Sequence, residues 1–194
     1  MDEPSPQILV IAGPNGAGKS TCAARYLPEG MAYVNADEIA KDQPGYPSPA
    51  VDIQAARIAL EMMDALEERR ESFALETTLA TRSLARRIVR LRGCGYRFHL
   101  VFVWAPGANF CVERVAWRVR SGGHHIPEET IRRRYSAGID NFFKLYRPMA
   151  EVWELLQNLG FEGPRLIASG QLGGVETIHD ASLWNLIRQG ETDE

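Results

Sequence analysis

The chain has 194 residues, of which 45% are hydrophobic and 24% charged, and its formal net charge is −3, as expected of a soluble globular protein. The longest apolar stretch, residues 98–106, contains His99 and is too short to cross a bilayer. The first residues do not resemble a signal peptide, and three cysteines without metal-like spacing indicate reduced thiols, so we expect a cytoplasmic protein.

The first predicted element is a buried parallel strand over residues 7–12, which leads directly into a glycine-rich loop and then a helix ending near Tyr26. Strand, loop and helix are the setting of a P-loop, and the sequence fits G-x-x-x-x-G-K-[ST]. We predict that Lys19 reaches the β- and γ-phosphates of ATP and that the Ser20 hydroxyl binds Mg²⁺. The alternative is a glycine-rich turn that binds nothing. The predicted nucleotide-binding residues are Gly13, Pro14, Asn15, Gly16, Ala17, Gly18, Lys19, Ser20 and Thr21.

Four further strands are predicted from short apolar runs, over residues 32–35, 73–78, 96–104 and 165–168. Helices are predicted after each of the first four strands, one of them opened by Pro49 with Ser48 as its cap. Further predictions are a Gly-Gly hinge near residue 122, a helix from Pro127 to about residue 146, and a second, helical amphipathic stretch over 152–159 that Gly160 ends. The last part, 175–187, is predicted to be partly helical.

Because strands alternate with helices throughout, we predict an α/β fold of the P-loop NTPase class, with a mostly parallel, five-stranded sheet and flanking helices. The chain is predicted to form a single domain over residues 1–194. Residues 1–6 and 190–194 are predicted to be loose tails.

Polar side chains follow the second and third predicted strands, and the carboxyl ends of parallel strands are where ligands collect. Asp37 is our candidate for the general base, with capping of the next turn as its alternative role. Glu76 and Thr78 are candidates for binding acceptor hydroxyls, with strand-end hydrogen bonding as the alternative. No strand ends in the apolar run and aspartate of a Walker B segment, so we expect Mg²⁺ to rest on Ser20, the phosphates and water.

Twelve arginines lie between residues 82 and 134, in a protein that is acidic overall. A nucleic-acid groove is one interpretation, and a phosphate clamp combined with solvated helix faces is the other. We favour the second, because no aromatic–basic recognition motif accompanies the arginines. Arg120 and Arg133 flank the predicted hinge and are candidates for clamping the phosphates, with Arg132 or Arg134 able to take the second role.

Four motifs in this order resemble the zeta toxin family of P-loop kinases: GPNGAGKST at 13–21, NADE at 35–38, ETTL at 76–79 and RSGGHHIPEETIRRRY at 120–135. The sequence Pro-Asn-Gly-Ala in the glycine-rich loop is more typical of a compact subgroup of predicted ATPases. The resemblance implies a nucleotide-kinase-like fold with a Gly-Gly-hinged lid, and phosphorylation by ATP of a UDP-amino sugar such as UDP-N-acetylglucosamine. It also implies a toxin that a small antitoxin blocks. The roles implied by position are triphosphate and metal binding by Lys19 and Ser20, proton acceptance by Asp37, substrate binding by Glu76 and Thr78, and phosphate clamping by Arg120 and Arg133.

The residues alone leave other functions open. The chain is shorter than the best-known toxins between Asp37 and Glu76, where part of the sugar pocket would lie. A kinase of another small molecule, such as a nucleoside or an antibiotic, is therefore one alternative. A nucleotide-gated nucleic-acid-binding protein that uses the arginine-rich section is the other.

Overall fold

A computed structural model describes residues 5–121, 123, 125–160 and 163–190. Within these residues seven strands form one sheet, in the order β2-β3-β1-β4-β5-β6-β7. The first five strands of this order are parallel, and β6 and β7 join the edge in antiparallel pairing. The strands are β1 Gln7–Ala12, β2 Ala32–Val34, β3 Phe73–Thr77, β4 Arg97–Trp104, β5 Val152–Gln157, β6 Arg165–Gln171 and β7 Thr177–Ile178.

The helices follow the strands in the alternation expected of an α/β fold, and the predicted class is confirmed. Ser48 caps α3 by accepting a hydrogen bond from the Val51 amide, as predicted. After α6 the chain continues as a π-helix over Phe142–Tyr146 and a 3₁₀ turn over Arg147–Met149. The helices are α1 Lys19–Tyr26, α2 Ala36–Lys41, α3 Pro49–Glu68, α4 Ser83–Gly93, α5 Ala108–Arg120, α6 Glu128–Asn141 and α7 Ala181–Gln189.

The core lies on both faces of the central strands, β1 and β4. Alternate residues of β1 separate the two layers: Ile8 and Val10 pack into the larger layer, with side chains of α3, α4, α6 and α7. Leu9 and Ile11 face a smaller layer that includes Ala23 of α1. A strand buried on both faces reads as a continuous apolar run, which is why β1 and β4 were predicted correctly.

The predicted amphipathic helix over 152–159 is wrong, because Val152–Gln157 forms strand β5. This segment pairs with β4 on one side and β6 on the other, and pairing on both edges satisfies its backbone groups. The sheet also has seven strands rather than five, since the antiparallel β6 is followed by the two-residue β7. In so short a segment, the spacing of apolar residues does not distinguish a helix from a strand. The pairing with neighbouring strands therefore decides its structure.

Three sequence predictions fall partly outside the described residues. They are the Gly-Gly hinge, which includes Gly122 and His124, and the two tails, which include residues 1–4 and 191–194. Among the described residues no helix is long and apolar enough to span a membrane.

Gly138 is the position where α6 packs most closely on the loop after β3. A Cβ built there would lie 2.6 Å from the carbonyl oxygen of Thr78, which is backbone and cannot easily move aside. We expect Gly138→Ala to lower the free energy of unfolding by about 1–3 kcal/mol through overpacking, although alanine favours helix.

The matched control is Gly93→Ala at the end of α4, where a Cβ meets nothing within 4 Å. Removing this glycine should leave stability unchanged or raise it by up to about 1 kcal/mol. Urea unfolding of the two variants measures the difference. Equal effects would contradict the proposed contact between α6 and the β3 loop.

Candidate active site

The glycine-rich loop lies between β1 and α1, at the carboxyl edge of the parallel strands. Gly18 has φ 87° and is the residue that precedes α1. A Cβ at this position would lie 2.5 Å from Nδ2 of Asn158, so the loop requires glycine for both conformation and space. The unpaired N–H groups at the start of α1 face the same side of the loop and favour an anion.

Asn158 holds the loop from the far side, and the sequence analysis missed it. It directly follows β5, is 1% exposed, and donates from Nδ2 to the carbonyl oxygen of Gly18 at 3.2 Å. The backbone carbonyl oxygen of Asn158 accepts a hydrogen bond from the Arg114 guanidinium group at 3.1 Å. A buried asparagine at the end of a strand is a detectable signal, but it was obscured because this segment was predicted to be helical.

Lys19, Ser20 and Glu76 meet at the centre of the site. Lys19 is 7% exposed; its Nζ donates to the carbonyl oxygen of Pro14 at 3.1 Å and lies 3.8 Å from Oε1 of Glu76. The Ser20 hydroxyl donates to Oε2 of Glu76 at 3.0 Å. The lysine therefore carries its charge into the loop beside a carboxylate that partly neutralises it.

The Glu76 carboxylate collects two further donors from β2 and the residue after it. Oε2 accepts from the Tyr33 hydroxyl at 2.6 Å and from Asn35 Nδ2 at 3.2 Å. Burial, together with the hydrogen bond to Glu76, raises the pKa of Tyr33, so its hydroxyl remains a donor. Glu76 thus lies beside the loop lysine and serine, and its predicted contact with an acceptor stays a prediction.

β3 explains why no Walker B segment was found. No described strand ends in an apolar run followed by aspartate, but β3, which neighbours β1 on the side opposite β4, carries the carboxylate of Glu76 after the apolar residues 73–75. Its carboxylate and the Ser20 hydroxyl supply the hard oxygen ligands that suit Mg²⁺. These two side chains therefore fit Mg²⁺ by their chemistry and would hold the ion beside the loop.

Asp37 lies in the first turn of α2, but Asn35 is the residue that caps this helix. Oδ1 of Asn35 accepts hydrogen bonds from the amides of Asp37 and Glu38 at 3.0 and 3.4 Å. Among the described residues, the Asp37 side chain itself has no hydrogen-bond or ion-pair partner. The carboxylate is therefore available for another role, and the alternative of a capping aspartate is wrong.

Three cavities surround the loop, and Asp37 lines all of them. The P-loop cavity, about 230 Å³, includes Lys19, Ser20 and Glu76. The α2–α5 cavity, about 300 Å³, adds Tyr46. The β3–α6 cavity, about 200 Å³, includes Lys19, Glu76 and Thr78. Of the five side chains predicted for chemistry outside the loop, Asp37, Glu76 and Thr78 line one cavity together, whereas the two predicted arginines do not.

The arginines that reach the loop are not the predicted pair. Arg120 is exposed and lines none of these three cavities, and Arg133 is also exposed and lines a separate outer cavity. Arg134 lines the β3–α6 cavity and donates to Oδ1 of Asn15 at 3.2 Å. Arg118 lines both the P-loop and the α2–α5 cavities. The phosphate roles predicted for Arg120 and Arg133 stay predictions.

Arg132, the remaining alternative, is directed elsewhere. Its guanidinium group pairs with Glu128 one turn earlier at 2.7 Å and donates to Oδ1 of Asn109 on α5 at 2.7 Å. Among the three consecutive arginines, helix geometry therefore presents Arg134 to the loop.

Comparison with known proteins agrees with this architecture. A family model described as an AAA domain matches residues 8–137. An uncharacterised protein of Haemophilus influenzae is 31% identical over 130 residues, which make up 66% of this chain and 92% of that protein.

Solved structures show the same fold at low sequence identity. A chain of the AvrRxo1-ORF1:AvrRxo1-ORF2 complex matches with a TM-score of 0.77 and 17% identity over 94% of this chain. A chain of the PezAT chromosomal toxin–antitoxin system of Streptococcus pneumoniae matches with a TM-score of 0.66 and 17% identity over 81%. This chain spans only 63% and 70% of those two chains. Together with the family match, these structures confirm the P-loop α/β fold that the sequence predicts.

Trp117 gives a direct test of where a nucleotide binds. It is 65% exposed and lines both the P-loop and the α2–α5 cavities, whereas Trp104, Trp153 and Trp184 are buried. We expect Mg·ATP to change the tryptophan fluorescence, and Trp117→Phe to remove most of that change. Lys19→Met, which keeps the tryptophan, should also lose the response because the phosphates lose their cation. A full response in Trp117→Phe would place the nucleotide elsewhere.

Proposed function

Because the chain belongs to the AAA domain family, whose model matches residues 8–137, we propose that it is an Mg·ATP-dependent kinase that phosphorylates a hydroxyl of a small molecule. One observation carries the proposal. The unpartnered Asp37 carboxylate lines the same cavities as Lys19 and Ser20, so an acceptor hydroxyl beside Asp37 would also lie beside the terminal phosphate.

The loop binds the triphosphate through its backbone N–H groups and through Lys19, whose side chain lines the P-loop cavity. Ser20 and Glu76 would hold Mg²⁺, which supplies charge neutralisation on the phosphate oxygens when bound. Tyr33 and Asn35 fix the Glu76 carboxylate by donating to it. The ligand oxygens are therefore oriented before the nucleotide arrives.

Asp37 accepts the proton of the attacking hydroxyl, which then forms a bond to the terminal phosphorus as the bond to the ADP oxygen breaks. Arg118 on α5 and Arg134 on α6 each line a cavity that Lys19 also lines, and they stabilise the negative charge on the transferred group. Thr78 lines the β3–α6 cavity with Asp37 and is placed to hydrogen-bond the acceptor.

For the acceptor we propose a UDP-amino sugar such as UDP-N-acetylglucosamine, in the cytoplasm, with the chain acting as the toxin of a pair that a small antitoxin inhibits. The support is the motif resemblance and the fold, since the PezAT chain with the same fold comes from a toxin–antitoxin system. A nucleoside or an antibiotic remains the alternative acceptor.

Several arginines that the nucleic-acid alternative would use are already paired with carboxylates. Arg87 and Arg90 both pair with Glu67, at 2.9 and 2.5 Å, and Arg92 pairs with Glu151 at 2.8 Å. Charges neutralised in this way contribute little to phosphate-backbone binding.

The kinase proposal is tested by incubating the protein with Mg·ATP and a panel of nucleotide sugars, nucleosides and aminoglycosides, and measuring a gain of one phosphate by mass spectrometry.

Removing the proposed base should separate chemistry from binding. We expect Asp37→Asn to lower kcat by about 10²–10⁴-fold while leaving the affinity for ATP nearly unchanged, because the side chain makes no contact that holds the loop. The measurement is phosphate transfer to the acceptor found in the panel, with ATP affinity determined separately. Asp42→Asn, at the other end of α2, is the control and should behave as the wild type. Normal turnover in Asp37→Asn would remove Asp37 from this role.

The arginine assignment leads to a second comparison within one helix. Arg134→Ala should lower kcat by roughly 10³-fold and ATP affinity much less, because the guanidinium group acts mainly on charge that develops during transfer. Arg132→Ala, whose side chain pairs with Glu128 instead, should retain activity. Equal losses in kcat and ATP affinity for Arg134→Ala would indicate simple nucleotide binding, and a larger loss in Arg132→Ala would reverse the assignment.

A further inference from the structure

The loop from β3 to α4, residues 78–82, packs against the second half of α6. Gly138 lies so close to the loop that a Cβ there would be 2.6 Å from the carbonyl oxygen of Thr78. Asn141, which is 7% exposed, donates from Nδ2 to the carbonyl oxygen of Leu79 at 2.7 Å. Residues three apart lie on the same face of a helix, so one face of α6 contacts two successive carbonyl groups of the loop.

The π-helix after α6 adds a third contact to this loop. Tyr146, the last residue of the π-helix, is fully buried and donates its hydroxyl to the carbonyl oxygen of Thr81 at 2.7 Å. A π-helix pairs residues five apart, so Tyr146 lies near the side of Asn141, whereas the tighter α-helix would turn it away. Burial raises the pKa of Tyr146 to about 12, so the hydroxyl stays protonated and donates at neutral pH.

The backbone of Leu79 shows why the loop has to be held. Its φ of 54° lies in the left-handed region, which is unfavourable for a residue with a Cβ. Its side chain is 1% exposed, and its amide donates to Oγ1 of Thr77 at 3.2 Å. Such a conformation persists only where the surrounding structure enforces it, and Asn141 contributes by binding the Leu79 carbonyl group.

The loop bears on the site because it begins with Thr78. Thr78 and Asp37 line the β3–α6 cavity, and so does Arg134 from α6. Arg134 and Asn141 are two helical turns apart, about 10 Å along one face of α6. Arg134 contacts the glycine-rich loop through Asn15, while Asn141 contacts the β3–α4 loop. One helix therefore sets the distance between the phosphate-binding arginine and the loop that carries Thr78.

We propose that Asn141 and Tyr146 are positioning residues for the acceptor, because they hold the β3–α4 loop on α6 and so fix the Thr78 hydroxyl relative to Arg134. Neither is among the residues that line the β3–α6 cavity, so both act through Thr78. The proposal rests on the kinase function given above. It adds that the helix carrying the phosphate-binding arginine also orients the acceptor.

The holding of the loop is tested without turnover, by hydrogen–deuterium exchange and mass spectrometry. Tyr146→Phe removes one oxygen atom and Asn141→Ala removes the amide; we expect residues 77–82 to exchange about threefold faster in both variants. Tyr146→Phe decides the result if Asn141→Ala does not fold. Tyr135→Phe is the matched control, since this hydroxyl of the same helix donates to the Ala105 carbonyl oxygen at 2.9 Å, after a different strand. Unchanged exchange in Tyr146→Phe, or equal acceleration in Tyr135→Phe, would overturn the proposal.

The role in the reaction is tested on the acceptor identified in the panel. Tyr146→Phe should lower kcat/KM for the acceptor about tenfold and leave the KM for ATP unchanged, whereas Tyr135→Phe should change neither. Thr78→Val removes the hydroxyl directly, and adding Tyr146→Phe to it should cause no further loss, because both changes act on the same contact.

A purely structural role would give a different result. The loss would then appear equally in Tyr135→Phe, or it would add to the loss in Thr78→Val, and either outcome would overturn the proposal. If residues 77–82 exchange faster but no acceptor in the panel gains a phosphate, α6 still holds the loop, but the kinase function fails and the positioning role fails with it.

Discussion

The Glu76 carboxylate is the group on which the rest of the site depends. A buried charge is tolerated only when donors surround it, and Glu76 receives hydrogen bonds from Ser20, Tyr33 and Asn35 and lies beside Lys19. These donors come from α1, from β2 and from the residue before α2. The electrostatic requirement of one carboxylate therefore fixes the relative positions of three elements that carry the proposed chemistry.

Asn35 links this centre to the proposed base. Its amide nitrogen donates to Glu76, while its amide oxygen caps α2 by accepting from the Asp37 and Glu38 amides. The two ends of one side-chain amide thus orient the carboxylate beside the loop and the helix turn that carries Asp37. Since a capping bond contributes about 1 kcal/mol, the turn is held firmly enough to keep Asp37 at the edge of the sheet without using its own carboxylate.

The parts of the fold that the sequence predicted are those with local signals. The loop glycines, the Ser48 cap and the apolar run of β4 each depend on residues adjacent in the chain. β5 was missed because a six-residue apolar segment fits helix and strand equally, and only its neighbours in the sheet decide. Because β5 was not recognised as a strand, the position of Asn158 at its end was missed as well.

The candidate site also combines features that local sequence reveals with features that depend on tertiary structure. The common location of Asp37, Glu76 and Thr78 could be predicted because residues at the carboxyl ends of parallel strands share an edge, whichever order the strands take. That Glu76 lies beside Ser20 depends on the order β3-β1-β4, which the sequence does not reveal. Choosing among Arg132, Arg133 and Arg134 requires the rotation of α6 about its axis, and neighbours on a helix face different directions.

The hydrogen bond from Asn158 to Gly18 joins residues 140 positions apart. During synthesis, the amino-terminal motif therefore leaves the ribosome long before the side chain that shapes it, and well before the parallel core is closed by β5. The hydrogen bond that supports the loop therefore becomes available only when more than three quarters of the polypeptide has been made. Until then, the loop lacks the support that β5 brings to it.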